Sequence, residues 1–396
     1  GFSSGMVYIS DELTGKNRSF EIQIHKDGRI DGCIPLDCPR YMSVIFQGRK
    51  IDFYIEPGQT LAMLLDWEEF RLSDGKIRDE FYRFKNVSFR GPTAEINEEL
   101  TSFYAQMPEY PTLKIYDGMS GKSPEEFRLF CDDVTKDYAI AHERMMKSEN
   151  LSPRTREILQ NNYKMHYALP LFEYEMTYRR PADDTKKDVA LPLAYYDFLQ
   201  NIPMNDRTLL SSPDFSLFVN RLEFCLPLSS ANDFNSPQKT FRQYLFDELG
   251  MENTVEDEAC RQIDDSLDIY LHPQDKKRSD KYKSFSDKYS KQLNQYKKKY
   301  LDAIKPLTPS ENACELWQLK DSIYTNGLKL KPCIVYDIIK IRTLDSTLGT
   351  TLRNDKEGAC TFLSKLADGI GDAFLRKEAD RIFSRNFPDE KREICK

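Results

Sequence analysis

The sequence predicts an α+β fold. A small antiparallel β-sandwich-like N-terminal domain is expected over residues 1–92, followed by a large irregular all-α helical region over residues 93–396. Three observations carry this reading. Apolar and polar residues alternate with period 2 up to Phe89, the signature of half-buried strands. Turn residues interrupt that pattern about every ten residues, as in a sandwich. Past Phe89-Arg90-Gly91-Pro92-Thr93 the apolar spacing becomes helical, and Ser-Pro or Asp start signals recur. A subdivision of the helical region is placed near residues 230–255.

The β-domain is read around Ile51 to Asp66, IDFYIEPGQTLAMLLD. Phe53 and Ile55 alternate with Tyr54, and Leu61, Met63 and Leu65 alternate with Ala62 and Leu64, so two paired strands are expected around Glu56-Pro57-Gly58-Gln59. Pro presets φ and Gly accepts the positive φ of a type II turn, whereas tight hairpins prefer primed turns, so a longer loop or splayed strands is the alternative. Met6–Ile9, Ser19–Ile24, Arg29–Ile34, Tyr41–Gln47 and Tyr82–Phe89 supply the other strands. Lys26-Asp27-Gly28-Arg29 and Gly48-Arg49-Lys50 provide turns between them.

Thr93 is a candidate N-cap for a helix over Ala94–Met107, whose Ile96, Leu100, Phe103, Tyr104 and Met107 share one face. Ser123-Pro124-Glu125-Glu126 opens a helix with a stripe from Phe127 through Cys131 and Tyr138 to Met145. Ser152-Pro153 opens another, ending about Tyr167, and Pro192 and Pro203 bracket a short aromatic helix with Tyr195, Tyr196, Phe198 and Leu199. Ser212-Pro213 starts the helix of Phe215, Phe218, Leu222 and Cys225. Helices are expected over Phe241–Leu249, Glu256–Leu271, Asp280–Ile304, Ser310–Thr325, Pro332–Leu344, Glu357–Ala367 and Asp372–Ser384, with no fixed repeat period.

Composition bounds the function. With 57 Lys+Arg against 64 Asp+Glu the net charge is −7, which argues against a nucleic-acid partner. The lysine-rich face of Asp280–Ile304 is broken by Asp280, Asp287 and Asp302 and reads as solvated surface. No apolar run approaches the ~18 residues of a membrane-spanning helix. The abrupt start GFSSGMVYIS is read as a trimmed terminus, with a signal or lipid anchor expected upstream.

Catalytic, cofactor-binding and metal residues are each expected to be none. The four histidines, His25, His142, His166 and His272, have no ligand at metal spacing. GxSxG, Walker A, GxGxxG and HExxH patterns do not occur, and Gly369-Ile370-Gly371 lacks the strand-turn-helix context of a phosphate loop. Asp132-Asp133 and Asp264-Asp265 are neighbours that diverge on a helix and read as surface. Glu56 is weighed as a ligand-orienting charge against an exposed turn charge, and Trp67 as a partner contact against a sheet cap; the second reading is preferred for each. Of nine cysteines only Cys33 and Cys38 are close in sequence, too far apart for CxxC. The cysteines read as small hydrophobes, Cys131 and Cys225 on apolar stripes, with Cys395 as the exposed thiol.

Five segments occur in a familiar order: YIEPGQTLAMLLDWEEF from Tyr54, FRGPTAEINEEL from Phe89, YYDFLQNIPMNDRTLLSS from Tyr195, FSLFVNRLEF from Phe215 and AFLRKEADRIF from Ala373. Together they make the chain resemble the N-terminal, non-catalytic region of a TlpA-like thiol-disulfide oxidoreductase family of Gram-negative bacteria. The resemblance implies a periplasmic or outer-envelope location and a C-terminal thioredoxin domain in the parent chain. That family's chemistry lies in a CxxC, and this sequence has none, so no catalytic residue carries over. The expected role is a non-catalytic accessory or scaffold region presenting a surface to protein clients. The alternatives are a stand-alone peptide- or glycan-binding envelope lipoprotein and a hydrolase with acids drawn from distant helices.

Overall fold

The computed structural model describes residues 4–11, 13, 16–26, 29–46, 48–73, 76–77, 80–147, 151–178, 191–231 and 307–388. The helices expected at Phe241–Leu249, Glu256–Leu271 and Asp280–Ile304 lie outside them. The chain divides into two compact units, Gly1–Ser229 with Gln318–Lys396, and Ser230–Trp317. The first holds the sheet and most of the described helices.

The α+β class is observed. The strands are β1 Ser4–Asp11, β2 Lys16–Ile24, β3 Ile30–Asp31, β4 Arg40–Phe46, β5 Arg49–Ile55, β6 Ala62–Leu65, β7 Lys76–Ile77, β8 Glu80–Arg83 and β9 Val87–Arg90. One sheet runs β3-β2-β1-β4-β5-β8-β7 and a second pairs β6 with β9. The sheet is mixed rather than wholly antiparallel, because β8 lies parallel to β5. The chain leaves β5, passes through β6 and helix α1 (Trp67–Leu72), and returns alongside β5 in the same direction.

The strands flanking Pro57-Gly58 do not pair with each other. Here β5 pairs with β4 and β8, while β6 pairs with β9. The turn itself is the type II expected: Gln59 N–H donates to Glu56 O at 3.2 Å, and Gly58 sits at φ 73°. A type II turn splays its strands, so it carries the chain from one sheet to the other. The tight hairpin lies one connection earlier, where Phe46 pairs with Arg49 around Gly48 at φ 76°. Val7, Val44, Phe46, Ile51 and Phe53 from the large sheet meet Met63, Leu65, Val87 and Phe89 from the small one in a common core.

The helices of the first unit begin with α2 Ala94–Gln106, α3 Thr112–Asp117, α4 Pro124–Val134, α5 Lys136–Met146, α6 Pro153–Tyr178, α7 Phe215–Glu223 and α8 Leu226–Ser229. Then α9 Pro309–Ser322 crosses the division between units, and α10 Ile334–Gly349, α11 Lys356–Asp368 and α12 Ala373–Asn386 follow. Ser123 and Glu126 form the capping box of α4. The stripe expected to run unbroken to Met145 is split at Thr135, whose hydroxyl donates to Cys131 O at 2.8 Å. Helix α6 passes its expected end and continues through Pro170, which is buried beside Leu171 and Phe172. Packing on the turns around Pro170 outweighs the one backbone bond it forfeits. The aromatic segment Leu193–Asn201 is a 3-10 helix with Tyr195, Tyr196, Phe198 and Leu199 buried.

Sheet and helices are joined at Tyr54. The Asn97 side chain accepts the Tyr54 N–H at 2.6 Å and donates to the Tyr54 carbonyl at 2.8 Å, acting as a one-residue strand partner. Thr93 stands at the N-cap of α2 as expected, but its hydroxyl donates to the same carbonyl at 3.3 Å and makes no side-chain cap bond. Around this joint Tyr54, Leu100, Phe103, Ile158 and Leu159 form a second buried cluster.

Candidate functional site

The histidines sit in separate pairings. His25 lies 2.9 Å from Asp31. His142 is buried, stacks on Tyr163 at 4.5 Å and places Nε2 3.4 Å from Leu159 O. Burial pushes the His142 pKa down, so its ring is neutral near pH 7. His166 Nδ1 lies 2.6 Å from an Asp214 carboxylate oxygen, with the ring edge-on to Tyr110. The contact does not have hydrogen-bond geometry, and among the described residues no hydroxyl or thiol is bonded to the His166 Nε2, so the pair does not form a general-base arrangement. His272 and Asp264-Asp265 lie outside the described residues. Among the described residues no group of His, Cys, Asp and Glu is arranged to hold a metal ion.

The other residues singled out in the sequence lie apart from one another. Glu56 accepts from Tyr54 OH at 2.8 Å and from Gln59 Nε2 at 2.9 Å, bracing the turn. Asp132 and Asp133 are exposed, and Asp132 accepts from Tyr167 OH at 3.0 Å. Trp67 is 67% exposed and stacks on Phe70 with ring centroids 5.8 Å apart. Cys33, Cys38, Cys131, Cys225, Cys314 and Cys333 carry thiols, whereas Cys360 is disulfide-bonded. Cys395 lies outside the described residues. Burial pushes the Cys131 thiol up to about 12 and raises Cys333 as well.

An open cleft of about 450 Å³ lies where α2, α5 and the start of α6 converge. Glu98, Glu99, Ser102 and Gln106 come from α2, and Arg144 and Met145 from α5; Phe103 and Leu151 add apolar surface. Glu99 is already engaged, accepting from Ser152 N–H at 2.8 Å and Ser152 Oγ at 2.7 Å. Gln106 donates to Ser102 O at 3.1 Å. What remains is a carboxylate on one helix and a guanidinium on the other beside an apolar patch. Such a surface can hold a polar chain segment by hydrogen bonds; it does not assemble an acid, a base and a nucleophile.

Sequence reading missed the buried charges. Asp337 and Lys340 are 3% and 4% exposed on α10. Asp337 accepts from Gly371 N–H at 2.9 Å and Asp372 N–H at 3.1 Å, and Lys340 Nζ donates to Gly369 O at 2.8 Å. Gly369-Ile370-Gly371 is therefore the loop these two charges clasp. Nearby, Arg342 lies 2.8 Å from Glu223. Burial raises the Glu223 pKa against the pull of Arg342 and Lys320, and burial lowers Lys320 despite Glu223. A signal was present: Asp337 and Lys340 interrupt the otherwise apolar run Ile334–Ile341, too apolar all round to lie at a surface.

Against family models, curated proteins and solved structures alike, the chain finds no match. Among the described residues no helix is long and apolar enough to cross a membrane.

Proposed function

We propose that this chain is a non-catalytic accessory region of an envelope thiol-disulfide oxidoreductase, holding a redox domain and offering clients a binding surface. The state of the thiols carries the reading. A redox nucleophile needs an exposed thiolate with a lowered pKa; burial drives Cys131 and Cys333 the other way, and Cys33, which is exposed, has no second cysteine at CxxC spacing. The Cys360 disulfide suits an oxidising envelope compartment. The ordered segment resemblance supplies the family. The test is insulin reduction by the purified chain with dithiothreitol as electron source. Turnover equal to that of a variant with every cysteine replaced by serine is expected, and turnover above it overturns the proposal.

The open cleft between α2 and α5 favours a second reading, a stand-alone peptide- or glycan-binding lipoprotein of the envelope. The gene downstream of Lys396 separates the two. An in-frame CxxC-bearing thioredoxin domain supports the first, and an immediate stop supports the second.

A further inference from the structure

The cleft beside α2 and α5 carries charges and hydrogen-bonding groups that the fold does not use. Glu98, Ser102 and Gln106 recur every four residues on α2 and so share the face that lines it. Among the described residues Glu98 and Arg144 each stand without a hydrogen bond or an ion pair, whereas the neighbouring Glu99 is taken up by Ser152. The Gln106 amide nitrogen donates to Ser102 O at 3.1 Å and to Ser102 Oγ at 3.2 Å. The Ser102 hydroxyl proton is left over as a donor and Gln106 Oε1 as an acceptor. Met145 and Leu151 add half-buried hydrocarbon. Phe103 lines the cleft at 1% exposed, so its ring presents no face on which a sugar could stack.

Water satisfies either charge by itself; the combination is what selects a ligand. One donor and one acceptor match a peptide group, which offers one C=O and one N–H. An anion and a cation at one cleft favour a ligand that carries both signs. The stripe from Glu98 to Gln106 is about 12 Å of helix at about 1.5 Å per residue, the length of about four extended residues. A volume of about 450 Å³ suits a segment of that size. We infer that the cleft binds an extended peptide segment with a basic and an acidic side chain around an apolar one. Glu98 takes the basic side chain and Arg144 the acidic one. Met145 and Leu151 take the apolar one, and Ser102 and Gln106 take one C=O and one N–H of its backbone. A neutral glycan would leave both charges without a partner. The inference rests on the reading that the chain offers clients a binding surface, and it names the kind of client segment that surface holds.

Isothermal titration calorimetry of the purified chain with the blocked peptide acetyl-Gly-Lys-Leu-Glu-Gly-amide tests this. Saturable binding is expected, weakening as salt is raised. Glu98→Gln and Arg144→Gln are each expected to weaken it about fivefold, the scale of one exposed charge pair. Both residues are exposed, so neither change reaches the core. Arg144→Glu is expected to lose this peptide and to prefer acetyl-Gly-Lys-Leu-Lys-Gly-amide, a gain that an unfolded variant could not show. No binding of the first peptide, an affinity unchanged in all three variants, or tighter binding of tri-N-acetylchitotriose than of the peptide each overturns the inference. None of these bears on whether the chain reduces insulin, so the non-catalytic reading stands or falls separately.

Discussion

The sheet region and the helical region bury different chemistry. Among the described residues, every buried polar or charged side chain lies at Thr93 or later, and the buried residues before it are apolar. The difference follows from where backbone groups go. Neighbouring strands satisfy one another, so the sheet's inner face needs only hydrocarbon. A helix leaves orphan N–H groups at its start and C=O groups at its end, and when those ends are buried a side chain must reach them. Glu175, 1% exposed, accepts from the Leu226 N–H at 2.6 Å where α8 begins. Asp337 takes the N–H groups of Gly371 and Asp372 just before α12, and Lys340 takes the Gly369 carbonyl just after α11. Asn97 does the same for the open side of β5 where the two regions meet.

If that account holds, the largest losses come from cutting a buried charge. Lys340→Met keeps the length of the side chain but leaves the Gly369 carbonyl unbonded and removes a positive neighbour of buried Asp337. The expected cost is about 3 kcal/mol, the range for removing one partner of a buried charged set. Urea unfolding reads it as a lower midpoint with the slope preserved. A variant as stable as the parent would show that the clasp around Gly369 contributes nothing. Asn97→Ala comes next, at about 2 kcal/mol, because it strands one N–H and one C=O of Tyr54 away from water. It also probes the joint between sheet and helices: a split unfolding transition would mean that Asn97 couples them as well as stabilising them.

What was legible in the sequence was local. Strands β1, β2, β4 and β5 follow their period-2 patterns, and the Ser123 start signal is a capping box in fact. The type II turn at Pro57-Gly58 was legible too, but which strands it leaves paired was not, since β6 meets β9 across the intervening α1. Pairing depends on segments far apart in the chain, and turn chemistry reports only a few residues. The same limit hid the cleft. Glu98, Ser102 and Arg144 are ordinary helix-surface residues until α2 and α5 come together. The end of α6 was missed for the opposite reason: its apolar packing carries the helix past Tyr167 and through Pro170 to Tyr178.

The finest test of the contrast is the pH dependence of Asp337. Two N–H donors and Lys340 pull its pKa down, yet burial is the larger influence and the net direction is up. The folded chain therefore holds that proton more tightly than the unfolded chain. Its contribution to stability is complete below the unfolded aspartate pKa of about 3.9 and is lost as pH rises through the higher folded value. Asp337→Asn stays neutral throughout and has no such loss. Subtracting the parent's unfolding free energy from the variant's at each pH cancels the opposite trends of Glu126, Glu143 and Asp206, whose folded pKa values are lowered. It also leaves any fixed cost of placing the amide as a constant offset. The difference should move in favour of Asp337→Asn as pH rises from about 3.9 toward neutrality, by less than the Asn97→Ala effect. Movement the other way would mean that the Gly371 and Asp372 N–H groups and Lys340 outweigh burial, so that the helical region's buried carboxylate is held as an anion in its own right.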